Sequence, residues 1–379
     1  MNKIKILHCS DLHFDTPFSD LPIDVSEQRK EELQETFSSV IELANKECVD
    51  AVLLAGDIFD NLRVRKSTLD FLKKRFESIP NVDIFISPGN HDPINSRSFY
   101  KMIDWPSNVH IFDSGFSSYV IKDKNVVVYG AGFTTNYIKK SMLMDFKILE
   151  EHKKFIKLMV LHGEVAASNS LNEYNPITVE DIGNSSMNYI ALGHKHQFSE
   201  IKRSRDTFYA YCGCPEGRGF DELGQKGIII GEIGEGYSDL RFVPMNKRSY
   251  NIQNINVTNI TNYEDIKIKV LEVINKESRE KDLYKIVLTG EIEEEFNLDI
   301  EVLTNKLSEY FYFVKVEDST KIKLNVNEVT VENSIKGIFA KKLIDKLGSC
   351  EEDEKDIYEL ALKFGIQSLS EGEIVIDDN

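Results

Sequence analysis

Five short stretches hold the residues able to do chemistry: SDLH with Asp11 and His13, GD with Asp57, GNHD with Asn90, His91 and Asp92, HGE with His162, and GHKH with His194 and His196. Carboxylates, an amide and imidazoles, with no thiolate among them, make a mixed oxygen and nitrogen donor set. Such a set suits manganese, iron or zinc better than calcium. Each stretch alone is weak: a DxH occurs by chance, and a single histidine is more often a packed side chain than a ligand. Together they gather most of the histidines of the chain, beside glycines that let backbones approach closely.

Every one of these stretches follows an apolar run. KIKILH precedes Asp11, DAVLLA precedes Asp57, VDIFI precedes Asn90, KLMVL precedes His162 and NYIAL precedes His194. Continuous rather than alternating apolar residues predict strands buried on both faces. Between them lie helical stretches, RKEELQETFSSVIELANKE and STLDFLKKRFESI, and a further helical segment is expected between NVVVYG and FIKLMVLH. Strands alternating with helices predict an α/β layered sandwich. Ligands bind at the carboxyl ends of strands in open α/β sheets, so all five polar loops can converge on one place. His8, inside the first strand, and His110 and His152 are read as packing residues.

Past His196 the pattern turns to shorter strands, FSEIKR, TFYAYC, KGIIIGEI and LRFVPM. Near Arg248 the register breaks, which divides the chain into 1–250, a small α+β module over 251–325, and a helical stretch over 326–379. In the last of these Ile335, Ile338, Phe339 and Leu343 follow helical spacing and either pack back or dock onto a partner. Residues 251–379 carry 16 Lys and Arg against 28 Asp and Glu, so most of the net charge of -17 belongs to the C-terminal third. That third is badly suited to lie along DNA and better suited to a protein partner. No signal peptide is visible at MNKIKILHCSD, and runs such as AVLLA are too short to span a bilayer. The five cysteines form no zinc set, and a reducing cytoplasm is the expected compartment.

The order D-x-H, GD, GNHD, a lone His and G-H-x-H resembles the calcineurin-like metallophosphoesterase superfamily, with all five motifs matched over roughly residues 3–250. Within it, ILHCSDLHFDTPF and YCGCPEGRGFDELGQKG are similar to the SbcD-like DNA repair exonucleases, most of all their YhaO branch, and the module containing YKIVLTG is similar to their capping domain. The resemblance implies a four-layer α/β/β/α sandwich followed by a small α+β capping domain and a helical tail. It also implies two divalent metal ions, Mn2+ foremost, with Fe, Zn or Mg as alternatives.

Two such ions about 3.5–4 Å apart can clamp a phosphodiester, and holding them that close needs an anionic bridge, which the two oxygens of Asp57 can supply. Carried over position by position, the family roles give one ion to Asp11, His13, Asp57 and His196, and the other to Asp57, Asn90, His162 and His194. His91 would face the phosphate and donate a proton to the leaving oxygen. Asp92 is expected to accept from the other nitrogen of the His91 ring and fix its tautomer. Asp15 and Asp60 are read as helix caps or ligand-orienting groups, the structural role being favoured, and Glu164 as a residue behind the ligands. Arg218 is read as a phosphate contact or a plain loop residue.

The motifs fix hydrolysis without fixing the substrate. A DNA exonuclease or endonuclease subunit in DNA repair leads, and the resemblance implies an SMC-like ABC ATPase of the SbcC type as partner and leaves room for a homodimer. Lys195, Lys202, Arg203 and Arg205 form a basic cluster expected beside the site, which would suit backbone phosphates. The alternatives are a phosphodiesterase or phosphatase for small nucleotides, and a recruitment subunit that binds DNA ends and the ATPase with weak hydrolysis.

Overall fold

The computed structural model describes residues 2–61, 63–167, 172–293, 298–323, 333–349 and 354–371, with 296, 330 and 351 besides. The chain divides into two compact units, one of residues 1–252 and 281–284, the other of 253–280 and 285–379. The second unit therefore takes in both the α+β module and the C-terminal helices.

Two six-stranded sheets form the first unit. One contains β1 (Lys3–Cys9), β2 (Ala51–Leu54), β3 (Asp83–Ile86) and β4 (Val109–Ile111), joined on the far side of β1 by β11 (Gly227–Gly234) and β12 (Tyr237–Pro244), in the order β12-β11-β1-β2-β3-β4. The other runs β5-β6-β7-β8-β10-β9, built from β5 (Ser117–Ile121), β6 (Val126–Gly130), β7 (Ile156–His162), β8 (Tyr189–Gly193), β9 (Lys202–Ser204) and β10 (Thr207–Tyr211). Strands β1 to β4 are mutually parallel, as are β6, β7, β8 and β10.

Three apolar cores separate four layers. Helices α1 (Ile23–Lys46) and α2 (Lys66–Glu77) cover the outer face of the first sheet through Phe37, Val40, Leu72 and Phe76, which meet Leu7, Val52 and Ile84. Alternate residues of the same strands, Ile6, Leu53 and Phe85, point the other way and meet Val128, Leu158 and Ala191 of the second sheet. The outer face of that sheet packs through Val127, Met159 and Ile190 against Ile182 of α3 (Val179–Asn184). Apolar on both faces, these strands need the continuous runs the sequence shows. The fold is a mixed α/β sandwich of two six-stranded sheets with helices outside them, the four-layer arrangement expected.

The helix expected between β6 and β7 is absent; only 3₁₀ turns at Met142–Asp145 and Glu150–His152 occur there. Leu143, Phe146, Ile148 and Phe155 reach the outer core at irregular spacing, and that packing overrides the helical propensity of the segment. FSEIKR contributes a strand only at Lys202–Ser204.

A three-stranded sheet of β13 (Tyr250–Asn256), β14 (Leu283–Thr289) and β16 (Phe313–Asp318), lying mostly in the second unit, is accompanied by α4 (Tyr263–Val273), α5 (Lys276–Lys281) and α6 (Ile300–Ser308). A short pair joins β15 (Glu291–Ile292) and β17 (Lys321–Ile322). Helices α7 (Ile335–Leu347) and α8 (Lys355–Glu371) pack together through Phe339, Ala340, Leu343, Leu362 and Ile366. The C-terminal stripe thus divides: Phe339 and Leu343 pack back, while Ile335 and Ile338 are 76% and 59% exposed. No helix among the described residues is long and apolar enough to cross a membrane.

Candidate metal centre

The carboxyl ends of β1, β2, β3, β7 and β8 bring the five polar loops together. After β1 and β2 the two backbones stay paired, Asp11 N donating to Gly56 O at 3.0 Å and His13 N to Asp57 O at 2.9 Å. Asp11, His13, Asp57 and His194 all have positive φ, from 47° to 106°, a region that L-residues adopt only when their surroundings dictate it. Gly193 and Gly89 permit the close approach: a Cβ on Gly193 would stand 1.8 Å from Ala55 O, and one on Gly89 2.2 Å from Asp57 Oδ1.

Asp57 lies at the middle. Its Oδ2 is 3.6 Å from His13 Nε2 and 3.4 Å from His162 Nε2, while its Oδ1 accepts from His91 N at 2.9 Å. On one side, His13 Nε2 and His196 Nε2 face each other at 3.3 Å, with Asp11 Oδ1 3.8 Å from the latter. On the other, Asn90 Oδ1 is 2.9 Å from His162 Nε2, and the His194 ring stands 5.3 Å from that of His162. Asp11, His13 and His196 could together hold one ion, and Asp11, Asp57 and His162 another; a third group, His13, Asp60 and His91, lies at the margin.

The outer nitrogens of His162 and His196 are engaged, which aims the inner lone pairs of these two rings at the centre. His162 Nδ1 meets Ala55 O at 2.9 Å and His196 Nδ1 meets Glu222 Oε1 at 2.6 Å, whereas His13 Nδ1 is buried with Asp60 Oδ1 3.4 Å away and no hydrogen bond between them. Burial holds the His13 ring down to about 3 and that of His194 down to about 4, and lowers His162 as well, so all three are neutral as ligands must be. His196 is the exception: burial opposes its proton, but the Glu222 carboxylate raises it. Burial, and then the Asp92 carboxylate, push Asp57 well above the usual range. A carboxyl so placed among neutral rings gains its charge cheaply only beside a cation, so the donor set fits divalent ions.

His91 is exposed at the rim, its Nδ1 2.8 Å from Asp60 O and its ring 4.8 Å from that of His13. The expected contact between His91 and Asp92 does not occur. Asp92 is buried, accepting at Oδ2 from Ile58 N at 2.7 Å, Phe59 N at 3.3 Å and Tyr100 OH at 2.6 Å, and at Oδ1 from Gly89 N at 2.7 Å. Neighbours in sequence, the two side chains point apart, and Asp92 ties the Asp57 loop to the Asn90 loop.

Other candidates also find their places. Asp15 accepts from Arg65 N and Thr68 Oγ1, both at 2.9 Å, at the start of α2. Asp60, read chiefly as a cap, instead sits behind His13. Glu164 Oε2 is 3.9 Å from His194 Nε2. Glu222 behind His196 was not singled out in the sequence: it lies 26 residues downstream, and no local spacing marks it. The basic cluster is not one patch. Lys195 pairs with Glu164 and Arg203 with Asp206, and the β9–β10 turn carrying Arg205 lies at the opposite end of the sheet from Tyr211.

A family model described as calcineurin-like phosphoesterase matches residues 4–198, just over half of the chain. The protein belongs to that family and is a metal-dependent hydrolase of phosphoester bonds. It is 29% identical to the uncharacterized metallophosphoesterase YhaO of Bacillus subtilis over 245 residues, which are 62% of this chain and 59% of that protein. To the DNA double-strand break repair protein Mre11 of Sulfurisphaera tokodaii it is 23% identical over 97% of this chain and 99% of that one. The D component of the nuclease SbcCD of Bacillus subtilis is 23% identical over 60% of this chain and 66% of its own.

Proposed function

We propose that this protein is a manganese-dependent phosphodiesterase that cleaves DNA backbone esters, as the nuclease subunit of a DNA repair complex. The observation that carries the reading is Asp57 Oδ2, which lies within 3.6 Å of imidazoles from both halves of the donor set, where a bridging oxygen is needed. Asp11, His13, Asp57 and His196 would hold one ion, and Asp57, Asn90, His162 and His194 the other. A bound pair of divalent ions supplies the charge that clamps a phosphate and lowers the pKa of water. The chain itself supplies geometry: rings of which His162 and His196 have fixed tautomers, a carboxylate between them, and His91 at the rim to hand a proton to the leaving oxygen.

The DNA repair relatives support a DNA substrate, and an SMC-like ABC ATPase of the SbcC type would be the partner, with the acidic second unit offering protein-binding surface. A homodimer and a cytoplasmic setting complete the proposal. A second reading, a phosphodiesterase for small nucleotides, is favoured by one feature: a cavity of about 460 Å³ beside His91, lined by Asp60, Asn61, Arg63 and Asn136, with a single cationic side chain.

Labelled duplex and single-stranded DNA, incubated with the protein and Mn2+ or Mg2+, separate the readings. DNA degradation well above turnover of bis(4-nitrophenyl) phosphate supports the nuclease. Turnover confined to mononucleotide esters selects the second reading, and tight DNA binding without cleavage would make the protein a recruitment subunit.

A further inference from the structure

One guanidinium joins the two carboxylates that stand behind His13 and His196. Arg218 NH1 lies 3.2 Å from Asp60 Oδ1, the same atom that is 3.4 Å from His13 Nδ1. Arg218 NH2 and Nε donate to Glu222 Oε1 at 2.8 and 3.1 Å, the same atom that meets His196 Nδ1 at 2.6 Å. Since that short contact needs a proton on Nδ1, the 3.1 Å approach of Arg218 NH2 to Nδ1 is not a hydrogen bond, and the guanidinium acts through Glu222. The two imidazoles it reaches are the pair whose Nε2 atoms face each other at 3.3 Å. On the other side of Asp57, His162 is held by a backbone carbonyl, out of this network.

The loop bearing Arg218 is fixed from behind. Fully buried Arg29 of α1 donates to Glu216 Oε2 at 2.6 Å and to Gly217 O at 3.2 Å, and Arg218 N itself donates to Glu222 Oε2 at 2.8 Å. A planar fork in a fixed loop can hold two carboxylates at once; an ammonium is a single point charge on a flexible stem and cannot.

We propose that Arg218 is a positioning residue for one metal position only, the one formed by Asp11, His13, Asp57 and His196. By locking Glu222 it sets the rotation and tautomer of the His196 ring, and by locking Asp60 it keeps that carboxylate beside the His13 ring. Without it the two carboxylates repel, the rings lose their outer partners' fixed geometry, and affinity for that ion falls about 10–100-fold. The other ion keeps its ligands. This inference rests on the two-ion reading given above.

The test is a Mn2+ titration of the whole protein by calorimetry, with electron paramagnetic resonance of the loaded samples, for wild type, Arg218→Ala and Arg218→Lys. Wild type is expected to bind two ions as a spin-coupled pair. Both variants are expected to keep one tight ion, to bind the second about 10–100-fold more weakly, and to show the six-line signal of isolated Mn2+ at one equivalent. Their metal-free melting temperatures should stay within a few degrees of wild type, which a general structural role would not allow. Two unchanged affinities, or equal weakening of both ions, would overturn the proposal while leaving the two-ion reading intact. A wild type that binds no pair would overturn that reading, and this one with it.

Discussion

The imidazole Nδ1 of His91 lies 2.8 Å from the backbone carbonyl oxygen of Asp60, an acceptor only, so Nδ1 carries a hydrogen and Nε2 is the nitrogen that must take up a proton before it can hand one to the leaving oxygen. A ring fixed in this way and exposed at the rim is free for proton transfer, whereas the buried rings of His13 and His162 are not. His91→Ala should therefore leave the metal content unchanged and lower kcat about 10²–10⁴-fold. Elemental analysis alongside turnover of bis(4-nitrophenyl) phosphate checks this; metal lost together with activity would make His91 a ligand.

Asp92 has a different task from the one its place in GNHD suggests. Its four accepted hydrogen bonds include backbone donors from both the Asp57 and Asn90 loops. Asp92→Asn turns an NH2 toward such donors and should cost about 2–4 kcal/mol of stability. Tyr100→Phe, removing one donor, should cost about 1 kcal/mol. Urea denaturation of the metal-free protein measures both, and a stable Asp92→Asn with only an altered pH–rate profile would restore the expected pairing with His91.

Close packing of β8 against the end of β2 makes Gly193 sensitive. A methyl there meets Ala55 O at 1.8 Å, so Gly193→Ala must push His194 and the β2 loop apart. Loss of at least one ion and about 1–3 kcal/mol of stability are expected, by metal analysis and thermal melting. Gly348→Ala, whose methyl would make only ordinary contacts at 3.6 Å or more, is the control and should change neither.

Much of the architecture could be read from apolar runs that end in polar loops. A strand buried on both faces has no choice but to be continuously apolar, and its carboxyl end is where a parallel sheet opens to ligands. The side chains behind the ligands were harder to see. Glu222 reaches His196 from 26 residues downstream, with no periodicity to betray it, and Asp60, read chiefly as a cap, lies beside His13 instead. Adjacency misled in the case of Asp92, because consecutive residues on a turn point in different directions. The segment between β6 and β7 misled for another reason, its apolar residues being spent on the outer face of a sheet at spacings no helix offers.

Everything proposed for the chemistry depends on Asp57 standing between two cations. Anomalous diffraction from a crystal soaked in Mn2+ tests this most directly. The expected result is two peaks about 3.5–4 Å apart, both within coordination distance of the Asp57 carboxylate. A single peak, or peaks that Asp57 does not touch, would contradict it.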